Sequence, residues 1–261
     1  MQTPTWQLLG MIMASAVFWM QYVDLKDRIK HEPRKLLLLS FLLGIVASLI
    51  ALLLFGACDA LGVPGPEGRG ELWTAGYCFL LIGPVEEGAK VLVAFLFVFG
   101  WSEFDEPIDG FVYAAAISIG FASVENYYNL PSLPLWEQLA HTATLPLTHT
   151  LFAAVWGFGI AWARLCIGPG ARRTALQACS VLLAMSLHGL YEFLLFAYQA
   201  TFLTSGLILV IWVFVIWRAR ECLRQQAALA TTSHLVIPEK GSSHNSSPSA
   251  SLEPRAAARR G

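Results

Sequence analysis

The run WTAGYCFLLIGPVEEGAKVLVAFLFVFG, residues 73–100, is apolar except at Glu86, Glu87 and Lys90. Its length exceeds the roughly 20 residues that a helix needs to cross a bilayer. A charge held inside such a segment costs roughly 2.5 to 3.5 kcal/mol even on insertion scales. A chain that keeps three of them uses them for packing specificity or for chemistry.

The rest of the chain repeats the apolar pattern. Of its 261 residues, 56% are hydrophobic and 13% charged, and the mean hydropathy is positive. This is the composition of a polytopic membrane protein, and nothing in it points to nucleic acid. Seven apolar runs have spanning length or nearly so: 6–22, 36–56, 73–100, 110–130, 142–166, 174–198 and 202–217. The fold expected is all-α, a transmembrane helical bundle of about seven membrane helices. Residues 1–224 form the membrane domain. Residues 225–261, rich in Ala, Ser, Pro and charge, are expected to be a disordered tail. Between the second and third runs, the Pro- and Gly-rich residues 62–70 read as a loop.

Basic residues set the orientation. Lys26, Arg28, Lys30, Arg34 and Lys35 follow the first run, Arg164, Arg172 and Arg173 separate the fifth from the sixth, and Arg218, Arg220 and Arg224 open the tail. Seven alternating crossings put all of these on one side and leave Arg69 on the other. The N-terminus is therefore expected outside and the tail in the cytoplasm, with the protein in the plasma membrane. The first run has its basic cluster after it, the reverse of a secretory signal. Asn245-Ser246-Ser247 fits a glycosylation acceptor but falls in the cytoplasmic tail. The five cysteines are scattered without a C-x-x-C pair, against a disulfide framework or a thiolate zinc site. No internal repeat of the transporter kind is visible. Small residues recur four apart at Ala116 and Gly120, and at Ala153, Gly157 and Ala161, as close helix packing requires.

Polar groups in the other runs complete a constellation. Glu125 and Asn126 lie in the fourth, His149 in the fifth, His188 and Glu192 in the sixth. At about 1.5 Å of rise per residue, the ionisable groups of four helices fall roughly 8 to 18 Å below the outer edge of the membrane core. Glu86 and Lys90 are four apart and so are His188 and Glu192, so each pair shares a face. Glu87 and Lys90, three apart, share one as well. Glu86 and Glu87 diverge by about 100°, which implies different tasks. Pro84, with Gly83 and Gly88 on either side of the glutamates, loosens the helix there. Burial and a nearby ammonium pull a carboxyl in opposite directions and can set it to take a proton from water. Glu with two His is also the ligand count of a catalytic zinc site, although no His-Glu-x-x-His is present. Metal is compatible with these residues without being demanded. Taken alone, Glu86 with Lys90 also reads as an ion pair that locks the bundle.

Pro-Val-Glu-Glu-Gly-Ala-Lys (84–90) resembles the E-E-x-x-K motif of the PrsW-type intramembrane proteases, relatives of the CAAX-processing (Abi-type) membrane endopeptidases. Asp105-Glu106-Pro107-Ile108-Asp109-Gly110 resembles the lead into that family's next helix, and residues 120–126 its G-F-x-x-x-E-N motif. His149-Thr150-Leu151-Phe152 and His188-Gly189-Leu190-Tyr191 match its two histidine motifs in order. The resemblance implies a peptide hydrolase acting on a membrane-anchored protein near the extracytoplasmic side, some bacterial members cutting anti-sigma factors. It implies catalytic roles for Glu86, Glu87, Glu125, His149 and His188, with Lys90 in support. Asn126, Glu192 and His141 join Lys90 as supporting residues, and His149, His188 and Glu86 are the candidate ligands of a divalent metal such as zinc. His141 stands where the family often has Arg, and Glu192 where it usually has Asp or Asn. Glu86, taken as the partner of Lys90, is the expected general base. The competing readings are a proton-coupled transporter that uses the same groups as a relay, and an inactive relative that binds membrane partners.

Overall fold

The computed structural model describes residues 3–26 and 31–235. Among these there is no strand. The helices are α1 (Thr5–Lys26), α2 (Arg34–Ala60), α3 (Glu71–Tyr77), α4 (Gly83–Leu96), α5 (Pro107–Asn129), α6 (Leu135–Cys166), α7 (Ala171–Tyr198) and α8 (Thr201–Leu235). All but α3 and α4 are long and apolar enough to cross a membrane. Met1–Cys222 forms one compact unit, and the unit from Leu223 onward is helical as far as Leu235. The helix thus runs past Arg224 into the segment expected to be a tail. Residues 236–261, with the Asn245 acceptor, lie outside the described residues, as do Arg28 and Lys30.

The stretch 73–100 is helical but not one regular helix. The π-turn Cys78–Ile82 joins α3 to α4, and a short 3₁₀ turn, Val98–Gly100, follows. The irregularity falls one turn before the carboxylates, not at them, and Glu86, Glu87 and Lys90 sit on regular α4. Pro84 accounts for the offset. It lacks the N–H that would bond the carbonyl of Leu80, and its ring crowds that same carbonyl. The widened turn accommodates both.

A helix that is apolar all round belongs in the middle of a bundle, and α5 is that helix. Of its apolar span 78% is buried, against 17% for α7 and 11% for α8. It packs against α1, α2, α4 and α6, while α7 packs against α4, α6 and the π-turn. Small residues allow the closest approaches. A methyl group on Gly110 of α5 would overlap the carbonyl oxygen of Gly157 of α6, and the reverse holds as well. A methyl on Gly83 would overlap the carbonyl of Met185, so α4 and α7 meet almost backbone to backbone beside the glutamates. The Asp-Glu-Pro-Ile-Asp-Gly segment starts α5. Asp109 Oδ2 accepts the backbone N–H groups of Asp105 at 3.0 Å and Glu106 at 2.6 Å, donors the helix cannot satisfy itself. Tyr113 donates its hydroxyl hydrogen to Glu32, fixing the α1–α2 link to α5. Exposed Leu, Phe, Val and Trp side chains cover α1, α2, α7 and α8, the surface a bilayer solvates.

Candidate active site

Four helices bring their polar residues to one place. From α4 come Glu86, Glu87 and Lys90, from α5 Glu125 and Asn126, from α6 His141 and His149, and from α7 His188 and Glu192. All nine residues singled out in the sequence lie in or beside this cluster, but their pairing differs from that expected.

Glu87 is fully buried and its carboxylate accepts from three helices. Lys90 Nζ donates to Oε1 at 2.8 Å, Trp156 Nε1 donates to Oε2 at 2.9 Å, and His188 Nδ1 stands 3.0 Å from Oε1. The partner of Lys90 is therefore Glu87, at i,i+3, and not Glu86. Lys90 also lies 2.7 Å from His149 Nδ1 and 4.2 Å above the centre of the Phe121 ring, so its desolvated charge meets an anion, a ring nitrogen and a π-face. Three charge-assisted bonds fix the geometry of Glu87. With Oε1 shared by two donors and Oε2 bonded to Trp156, it orients other groups.

Glu86 is the opposite case. Its Oε2 stands 3.7 Å from His188 Nε2 and 3.9 Å from His149 Nδ1, too far for hydrogen bonds, and it has no hydrogen-bond partner among the described residues. A buried carboxylate oxygen without a donor is costly. Glu86, His149 and His188 each place one ligand atom within 4.8 Å of the other two. One carboxylate and two imidazoles converging on one gap fit a divalent ion such as zinc. Glu87, bonded to Nδ1 of His188, turns Nε2 of that ring toward the gap, the carboxylate–histidine arrangement that orients metal ligands. Phe152 stacks on His188 with centroids 4.8 Å apart and holds the same orientation from the other side.

Glu125 and Glu192 form the accessible rim. The Glu125 side chain is 26% exposed, and its Oε2 lies 2.8 Å from His149 Nε2, in contact but out of line for a hydrogen bond. Glu192 Oε1 is 3.8 Å from His188 Nε2. Asn126 Oδ1 lies 3.1 Å from His141 Nδ1, and its Nδ2 is buried without a hydrogen-bond partner among the described residues. The sequence reading missed Trp156. The signal was present, since Trp156 follows His149 by seven residues and so shares its helix face.

Fold and cluster together define a polytopic helical membrane protein with a buried set of metal-ligand type between four helices. A family model described as PrsW family intramembrane metalloprotease matches residues 32–219, and the chain belongs to that family. Protease PrsW of Geobacillus kaustophilus is 32% identical over 225 residues, 85% of this chain and 93% of the relative. The protein of that name from Bacillus subtilis is 31% identical over 185 residues, 70% of this chain and 80% of its own length. That of Shouchella clausii is 26% identical over 215 residues, covering 81% and 95%. No solved structure matches the chain. The protein is a membrane endopeptidase of a metalloprotease family, as the resemblance implied, and the transporter reading is set aside.

Proposed function

We propose that the cluster hydrolyses a peptide bond of a membrane-anchored protein close to the extracytoplasmic face. Glu86, His149 and His188 would hold the metal ion. Such an ion, when bound, polarises a carbonyl oxygen and makes water more acidic. Glu125 is the general base. It is the most exposed acid of the cluster and stands beside His149, whereas Glu87 is fully buried on three donors and Glu86 faces the two histidines. Glu125 takes a proton from the water that attacks the carbonyl carbon and returns it to the amide nitrogen as the C–N bond breaks, leaving a carboxylic acid and an amine. Glu87 and Lys90 keep His188 and His149 in place. Glu192 flanks His188 at the rim, and His141 holds Asn126 in place beside Glu125.

The basic loops support an outside N-terminus and a cytoplasmic tail. In that orientation Glu125, four residues before the end of α5, and His188, ten before the end of α7, lie toward the outer half. The substrate we propose is a single-pass regulatory protein of the anti-sigma-factor kind, cut first here. The single observation that carries the reading is the unpartnered Glu86 oxygen between two histidines. The test is co-expression with a tagged single-pass substrate, comparing wild type with Glu86→Gln and Glu125→Gln. Both variants should accumulate at normal levels and leave the substrate intact. Undiminished cleavage by either one overturns the role given to that residue.

A further inference from the structure

Away from the catalytic cluster, an apolar cavity of about 260 Å³ lies between α5, α6, α7 and α8. Phe111, Phe158, Trp162, Leu183 and Phe214 form much of its wall. Leu183 and Phe214 are about half exposed, so the cavity opens sideways onto the lipid-facing surface. Phe158 follows His149 by nine residues, roughly 13 Å along α6. None of Glu86, Glu87, Glu125, His149 or His188 lines it.

One cation lines the cavity. Arg218 is the first charged residue of α8, after an uncharged run from Thr201 to Trp217, and so marks where that helix leaves the apolar layer. Its guanidinium carbon lies 5.3 Å from the centre of the Phe158 ring and 5.6 Å from that of Trp217. Cation–π contacts of this kind hold the guanidinium against the aromatic wall without using its N–H groups as directed donors to an anion. Among the described residues no carboxylate forms a salt bridge with it. Arg164, Arg172 and Arg173 lie at the same ends of α6 and α7.

We propose that this cavity holds an anionic glycerophospholipid, with one acyl chain between the four helices and the phosphate against Arg218. The mouth and the charge select the occupant. Half-exposed Leu183 and Phe214 open the cavity onto the lipid-facing surface, where acyl chains are the apolar groups at hand, and Arg218 is the cation in its wall. A basic residue at the edge of an interhelical pocket then favours an anionic headgroup over a zwitterionic one.

The test is native mass spectrometry of the full chain released from mixed micelles, with phosphatidylglycerol or phosphatidylcholine of identical acyl chains. The expected result is one phosphatidylglycerol retained per chain under conditions that strip phosphatidylcholine. An arginine near the membrane surface contributes about 1 kcal/mol to anionic-lipid binding, so Arg218→Gln should weaken retention about fivefold, and Arg218→Lys should preserve it. Cys179→Trp, which places a ring in the cavity, should abolish retention of either lipid while the protein still elutes as one species. Equal retention of the two lipids, retention unchanged in both Arg218→Gln and Cys179→Trp, or a dimer that covers this face would each overturn the proposal.

Discussion

The two adjacent glutamates of α4 should respond in opposite ways to the same isosteric change. Glu87→Gln keeps the side-chain volume but removes the anion facing Lys90, and it sets an NH₂ group against one of three donors: Lys90, Trp156 or His188. Breaking a buried ion pair by neutralising one partner costs about 3 to 5 kcal/mol. At roughly 2 to 4 °C per kcal/mol for a domain of this size, the melting temperature should fall by about 6 to 20 °C. Glu86→Gln removes a charge that has no donor on Oε2 among the described residues, so in chelator the same measurement should show no loss. Added zinc should then separate the proteins again, because a ligand that binds only the folded state raises its stability. Wild type should gain stability, and Glu86→Gln, short of a ligand, should gain little. The assay is tryptophan fluorescence during thermal unfolding of detergent-purified protein, in chelator and with metal. A fall for Glu86→Gln in chelator as large as that for Glu87→Gln would refute the assignment of Glu87 as the structural anion and Glu86 as the ligand.

Purified wild type should contain about one divalent ion per chain by elemental analysis, and lose both the ion and activity to a chelator. Glu87→Gln, which loosens His188 without touching the ion, should weaken metal affinity roughly 10- to 100-fold, measured by competition with a chromogenic chelator. Trp156→Phe removes one donor to the Glu87 carboxylate and should cost about 1.5 to 3 kcal/mol, read from the same melts. Gly157→Ala presses a methyl group into the Gly110 carbonyl and should cost about 1 to 3 kcal/mol by overpacking. Combined with Gly110→Ala, it should cost less than the sum of the two, because one shift of α5 from α6 relieves both.

Much of this was legible in the sequence because a bilayer leaves few options. Apolar runs of spanning length can only be helices there, and an ionisable group inside one is rare enough that the seven of this constellation, on four runs, mark a site. What the sequence left open was the pairing within α4. Residues three and four apart both share a face, so Lys90 reaches Glu86 or Glu87 equally well on an isolated helix. The choice is made by α6 and α7, whose Trp156 and His188 surround Glu87 and leave the ammonium nothing nearer. The π-turn was hidden for a related reason. The sequence places Pro84 beside the glutamates, but the bond it abolishes belongs to the carbonyl of Leu80, one turn earlier.

The rotation between Glu86 and Glu87 acquires meaning only through residues without reactive groups. Gly83 lets α4 lie against the Met185 carbonyl, and Gly189 lies close to the backbone of Cys78 and Phe79 in the π-turn. With α4 and α7 so close, His188 touches both glutamates at once, Glu87 through Nδ1 at 3.0 Å and Glu86 across a gap of 3.7 Å from Nε2. A larger residue at either glycine would separate the helices and leave His188 reaching one carboxylate alone. The division of labour between an orienting anion and a ligand is thus set by backbone contact, which is why spacing within a single helix could name the acids without assigning their roles.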